Sequence, residues 1–262
     1  MFSANKGLNN ELSTALRGLP LGGLRFYPST GSSNDQALAW AASGAPDLAL
    51  VVADEQTSGR GRLGRNWFTP AGAALAFSLV LKPTAAEREF VGRFSGLGAL
   101  ALVQALAEHG VLAEIKWPND VLIRRKKVAG VLVEPVWMGN EIDSLVLGMG
   151  VNVSLDSIPR DGLTFPATCL HGEGLPDLPR YNLLKTLLGH LISLRASLPE
   201  QVIARWENLL AFRGEQVQIW QGAAPALIAR LVGLELDGSL RVLTPAGEQR
   251  AVHFGEVHMR PV

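Results

Sequence analysis

Apolar residues fall along this chain in two kinds of run. Continuous stretches, LALVVA at 48–53 and ALAFSLVL at 74–81, predict buried strands. Leucines at 183, 184, 187, 188, 191 and 194 instead recur at helical spacing and predict a helix with one inward face. Residues 33–42 predict a short helix capped by Ser33 or Asn34. Thr84-Ala85-Ala86-Glu87 is a capping box, opening a helix that stops at Gly110. Two β-like runs, 121–123 and 128–134, flank the charged tetrad 124–127 and predict a hairpin. Residues 145–153 predict the next strand and 201–210 a further helix. From Arg213 onward short strands alternate with turn signals at Asp237-Gly238 and 245–247. The pattern implies a polar leader over 1–22, an α/β domain over 23–212 and a small β-barrel-like domain over 213–262, with no internal repeat.

Composition narrows the classes of function. The chain has 262 residues, 47% of them hydrophobic, enough for a core in each domain. Lysine and arginine total 24 against 24 acidic residues, so no basic field points to nucleic acid as a partner. Cys169 is the one cysteine, which excludes an intrachain disulfide framework and fits a reducing compartment. No signal-peptide core and no apolar run near the roughly 20 residues of a membrane span is present, so a soluble, cytoplasmic protein is expected.

Gly59-Arg60-Gly61-Arg62-Leu63-Gly64 satisfies the dinucleotide-binding GxGxxG pattern after a predicted strand. The next residues, RNWFTPAG, do not open a helix, so no helix N-terminus is there to receive a pyrophosphate. The segment offers permissive backbone and guanidinium forks suited to phosphate or carboxylate. Alone, it reads equally as a solvated turn. Lys116-Trp117-Pro118-Asn119-Asp120 gathers a cation, an aromatic and two polar side chains before a strand, although a turn with Trp117 in the core would explain it as well. Lys127 lies seven residues after Asp120 and is the member of its charged tetrad nearest the apolar run VAGVLVE, which makes it the candidate functional lysine. Gly148 and Gly150 mark either close approach of a ligand or another backbone, or a bulge, and Asn152 beside them could present an amide to a base edge.

GRGRLGRNWFTPAG at 59–72, KWPND at 116–120, KVAGVLVE at 127–134 and GMGVNV at 148–153 together resemble, in order and spacing, the signature segments of biotin protein ligases. The similarity runs from Ser32 to FGEVHMR at 254–260, roughly nine-tenths of the chain. It implies a mixed-sheet catalytic domain of class II synthetase type followed by an SH3-like barrel. It places biotin against Ser32, Ser33, Asn34, Gln56, Gly59, Arg60, Gly61, Arg62, Lys127 and Gly130. Ser33 stands where the family usually has threonine, keeping the hydroxyl and losing a methyl contact. ATP and the adenylate fall to Arg60, Arg62, Arg65, Trp67, Asn119, Lys127 and Asn152, with Lys127, Arg62 and Asp120 as the catalytic group. Asp120 is implied to help hold magnesium. Gly255, Glu256 and Arg260 match the family's terminal segment.

The implied partners are biotin, ATP and a biotin carboxyl carrier protein. An exposed strand edge could also pair two copies of the chain. About thirty residues precede Ser32, so the resemblance implies the ligase without the winged-helix repressor domain. The chemistry it implies needs fixed cations more than a nucleophile, since an anion must approach a polyanion. In keeping, the sequence holds no GxSxG elbow, no Walker motif and no metal-type pairing among His109, His171, His190, His253 and His258. Two other readings stay open: a lipoate or octanoate ligase of related fold, and a binding module that retains biotin or nucleotide without turnover.

Overall fold

Two sheets divide the chain in the order the hydrophobic pattern predicts. The computed structural model describes residues 2–222, 225–254 and 257–262. In chain order the elements are α1 (Phe2–Ala15), β1 (Gly23–Thr30), α2 (Ser33–Ala42), β2 (Ala49–Gln56), β3 (Ala74–Leu81), α3 (Ala85–Arg88), α4 (Arg93–Ala107), β4 (Glu114–Lys116), β5 (Asp120–Ile123), β6 (Lys126–Met138) and β7 (Glu141–Asn152). Then come α5 (Arg180–Arg195), α6 (Pro199–Asn208), β8 (Gln216–Gln221), β9 (Leu227–Leu234), β10 (Leu240–Leu243), β11 (Gln249–Val252) and β12 (Val257–Pro261).

The first sheet has seven strands in the order β1-β2-β3-β7-β6-β5-β4, parallel only between β1 and β2. Strand alternation sorts its side chains between two cores. Leu50, Val52, Phe77 and Leu79 join α4 and α5 in the main core, while Val51 and Val80 face Ala37 and Ala41 of α2 on the other side. Ser78 interrupts the apolar run of β3 and is itself fully buried, against α2. The second sheet is antiparallel, with strand order β11-β10-β9-β8-β12.

Four expectations need correction. The polar leader contains α1, whose Leu12 and Leu16 are buried in the main core and which packs on α5. Two leucines one turn apart suffice for that contact, too few to stand out in a polar segment. The helix opened by the capping box ends after Arg88 and restarts as α4 at Arg93. At Gly92 between them, a Cβ would collide with the Phe254 ring. The N-cap of α2 is Ser32, with no side-chain cap bond. Ser33 and Asn34 turn inward instead of capping. Lastly, β1 went unforeseen because it is a half-buried edge strand interrupted by Pro28, with no strong alternation.

Two local features frame the cavity described below. The β5–β6 hairpin turns through Arg124 (φ 49°) and Arg125 (φ 61°), both left-handed. The second sheet meets the first through aromatic contacts: Trp117 Nε1 donates to the Gly238 carbonyl at 3.0 Å, and the Phe254 ring lies 5.4 Å from Trp117 and 6.4 Å from Trp206. Among the described residues no helix is long and apolar enough to cross a membrane.

Candidate active site

A cavity of about 870 Å³ opens over β6 and β7, bounded by the start of α2, the loop between β2 and β3, the β4–β5 hairpin and residues 157–167. Every site residue expected from the sequence lines it: Ser32, Ser33, Asn34, Gln56, Gly59, Arg60, Gly61, Arg62, Arg65, Trp67, Asn119, Asp120, Lys127, Gly130 and Asn152. The β2–β3 loop is tied at its start by Thr57 and Ser58 N–H bonds to the Thr30 and Gly31 carbonyls. At its end, Asp54 accepts from the Gly72 N–H (3.2 Å) and from Arg180 (2.5 Å).

One end of the cavity is polar and nearly neutral. The Ser33 N–H donates to Gln56 Oε1 at 2.8 Å, and Gln56 Nε2 donates to Thr69 Oγ1 at 3.0 Å. Ser78 Oγ lies 2.8 Å from Ser33 Oγ and 2.5 Å from Asn34 Oδ1. Asn34 Nδ2 in turn donates to Glu134 at 2.7 Å. Gly148 makes this arrangement possible, since any Cβ there would overlap the Asn34 carboxamide. Gly150 does the same for the Trp67 indole, which spreads across β7 with Lys127 Nζ 5.2 Å from its ring. The glycines of β7 thus make room for side chains, whereas the sequence pattern allowed a ligand, another backbone or a bulge.

The other end is cationic. Register places Lys116 opposite Asp120 across the β4–β5 hairpin, whose turn contains a cis Trp117–Pro118 peptide. Lys116 Nζ lies 3.2 Å from one Asp120 oxygen and Lys127 Nζ 2.6 Å from the other. Burial alone would raise the Asp120 carboxyl, but Lys127 first and Lys116 second overturn it and hold the group at about 2. Burial pushes the Lys116 ammonium down, reinforced by Lys127 and Arg65 and opposed by Asp120. Arg62 Nη1 donates to Asn119 Oδ1 at 3.2 Å, and Asn119 Nδ2 to the Val131 carbonyl at 2.8 Å. Asn152 Nδ2 donates to the Thr168 carbonyl at 3.0 Å.

Two residues expected at the site meet partners within the protein that the sequence did not foresee. Asp120 has one ammonium group against each oxygen, so in this geometry it stands as the shared partner of Lys116 and Lys127. Among the described residues no group of three or more His, Cys, Asp or Glu side chains is placed to hold a metal. Arg60 meets two carboxylates of the protein itself. Its guanidinium is paired with Glu134 at 2.9 and 3.0 Å and with Asp35 at 2.7 Å. Gly255 and Glu256 lie outside the described residues, while Arg260 reaches the cavity wall.

Sequence reasoning passed over Lys116, Ser78, Glu134 and Asp35. Ser78, the lone hydroxyl in an apolar run, carried a usable signal. Glu134 ended a quoted motif without being assigned a role, and nothing local marks Asp35.

The model of the Biotin/lipoate A/B protein ligase family matches residues 26–152. The biotin--[acetyl-CoA-carboxylase] ligase of Mycobacterium tuberculosis is 36% identical over 232 residues, covering 86% of this chain and 76% of that protein. The chain belongs to the biotin protein ligase family. Against the bifunctional ligase/repressor BirA of Bacillus subtilis, identity is 37% over 132 residues, half of this chain and 40% of that protein's length. The fold agrees with that of the biotin protein ligase from Aquifex aeolicus in complex with biotin and ATP. The TM-score is 0.77 at 29% identity, over 92% of this chain and 99% of that one. In this member of the biotin protein ligase family, the matched core ends at Asn152, so it holds the whole polar end of the cavity, Lys127 and the glycine–arginine loop.

Proposed function

We propose that the protein joins biotin to a specific lysine of a biotin carboxyl carrier protein, in the cytoplasm, through biotinyl-5′-AMP formed from biotin and ATP. The observation that carries the reading is one cavity with a neutral hydrogen-bonding end and a cationic end, bridged by the glycine–arginine loop. In the first step a biotin carboxylate oxygen attacks the α-phosphorus, the bond to the oxygen bridging to the β-phosphate breaks, and pyrophosphate leaves. Lys127, Arg62, Arg65 and Lys116 supply positive charge where that negative charge accumulates. Asp120 holds both lysines on the cavity wall. In the second step the carrier lysine amine attacks the acyl carbon and AMP departs with the bonding electrons. Magnesium, as the counter-ion ATP brings with it, is assigned no ligand from the chain.

Ser32, Ser33, Asn34 and Gln56 would take the biotin ring end, and Asn119, Asn152 and Trp67 the adenine side. We read the second sheet as the family's SH3-like barrel, and the edge of β6 beyond Gly130, which β5 does not accompany, as a place where two copies could pair. The test is pyrophosphate–ATP exchange with biotin, lipoate or no acid added, then transfer to an apo carrier fragment. Exchange is expected with biotin alone, followed by carrier labelling. Equal exchange with lipoate, or tight biotin binding without exchange, would overturn the assignment.

A further inference from the structure

The charge on Arg60 is spent inside the protein. Its guanidinium meets both oxygens of Glu134 on β6, at 2.9 and 3.0 Å, and Asp35 on α2 at 2.7 Å. Glu134 also accepts the Asn34 amide at 2.7 Å, so one carboxylate grips both the start of α2 and the β2–β3 loop. Within the loop the Gly61 N–H donates to the Arg65 carbonyl (2.7 Å), the Arg65 N–H to the Arg62 carbonyl (3.3 Å) and the Trp67 N–H to the Gly59 carbonyl (2.8 Å), while Arg62 reaches Asn119 and the Trp67 indole lies against β7. Gly59, Gly61 and Gly64 give this stretch little backbone stiffness of its own. The bidentate fork of Arg60 is the charged contact that ties the glycine-rich first half of the loop to β6 and α2, at the polar end of the cavity.

We propose that Glu134, assisted by Asp35, is a positioning residue: acting through Arg60, it fastens the glycine–arginine loop across the biotin end of the cavity, and retention of the acyl-adenylate depends on that fastening. The second clause rests on the ligase reading; the first does not. Glu134 makes no chemical step. Its carboxylate sits behind Asn34 and Arg60, and works by charge and fork geometry.

The experiment has two arms. Trypsin cuts after arginine, and the loop carries Arg60, Arg62 and Arg65, so ligand-free cleavage there reports how often the loop lifts. Glu134→Gln keeps an oxygen for Asn34 and removes the charge facing Arg60 without changing a cleavage site. Loop cleavage is expected to rise about fivefold to tenfold in Glu134→Gln and about twofold in Asp35→Asn, whose carboxylate is more exposed. Raising the salt concentration should speed wild-type cleavage, because the pairs are partly solvent-exposed. In the second arm, biotinyl-adenylate release from Glu134→Gln, measured at saturating biotin and ATP, is expected to rise by a similar factor. A purely structural role would raise cleavage at all sites together and leave release unchanged. Unchanged loop cleavage in both variants overturns the proposal. If Glu134→Gln fails to fold, Asp35→Asn and the salt series decide. Should the wild type show no exchange while loop cleavage responds as expected, the ligase reading falls and the fastening stands.

Discussion

The two ends of the cavity handle buried polarity in opposite ways. At the end built by α2 and β3, polar groups pair within the protein: Ser33 with Gln56 and Ser78, Asn34 with Ser78 and Glu134. At the hairpin end Lys116, Lys127, Arg62 and Arg65 crowd around the one buried carboxylate of Asp120. On the proposed reading, the first arrangement meets the biotin ring with amides and hydroxyls already held in place. The second gathers more positive than negative charge on a wall where, of the charged groups, only Lys116 and Asp120 are buried, and on the proposed reading an arriving polyanion meets that excess.

The sharpest way to break this contrast is Lys127→Ala. It should cut biotin-dependent pyrophosphate exchange by roughly 10²- to 10³-fold, and a loss under tenfold would show that the cationic end does not drive the first step. Next in size is Asp120→Asn, which strips both lysines of their partner. A urea titration at pH 7 should find it about 2 kcal/mol less stable, while calorimetry finds pyrophosphate bound more tightly and biotin bound as before. The pH dependence carries a definite sign. The Asp120 carboxyl is held below its ordinary 3.8, at about 2, so its contribution is fully present above 3.8 and is lost as pH falls through about 2. The stability gap between wild type and Asp120→Asn should therefore be the same at pH 5 as at pH 7 and close only below pH 3.8; a gap that narrows between 7 and 5 would assign the effect to another group.

At the neutral end Ser78→Ala should raise the KM for biotin about fivefold and leave that for ATP unchanged. Equal shifts in both would mean that the two ends are not separable. The smallest effect belongs to neither end: Arg125→Asn at the hairpin turn relieves a left-handed backbone and gives up a solvent-exposed pair with Glu215, so Tm should move by only a degree or two, on the order of 0.5 kcal/mol, with exchange untouched.

Much of this was legible in the sequence, for reasons that differ by element. The bounds of α2 and β3 match those the local sequence predicts, and the six leucines of α5 are all buried as their spacing requires. The site motifs could be read because each is contiguous in the chain. What escaped is non-local. Glu134 and Asp35 meet Arg60 across 74 and 25 positions of chain, and no periodicity signals such a meeting. The same holds for Phe254, from the far end of the chain, whose ring packs where a Cβ on Gly92 between α3 and α4 would sit, and for the pairing of Asp120, which depends on a lysine across a hairpin as well as one in its own motif.

The contact between Trp117 and Gly238 has a practical consequence for anyone wishing to cut this protein down to a minimal labelling tool. A fragment ending near Arg213 would keep all four motifs, yet it would strip the Trp117 indole of its hydrogen-bond acceptor and of the Phe254 ring beside it. That indole is fully buried, and the next three residues lead directly to Asp120. A shortened tag would thus expose an oily face beside the very turn it needs to keep rigid, and a redesign that rearranges the chain while retaining both sheets would be the safer one.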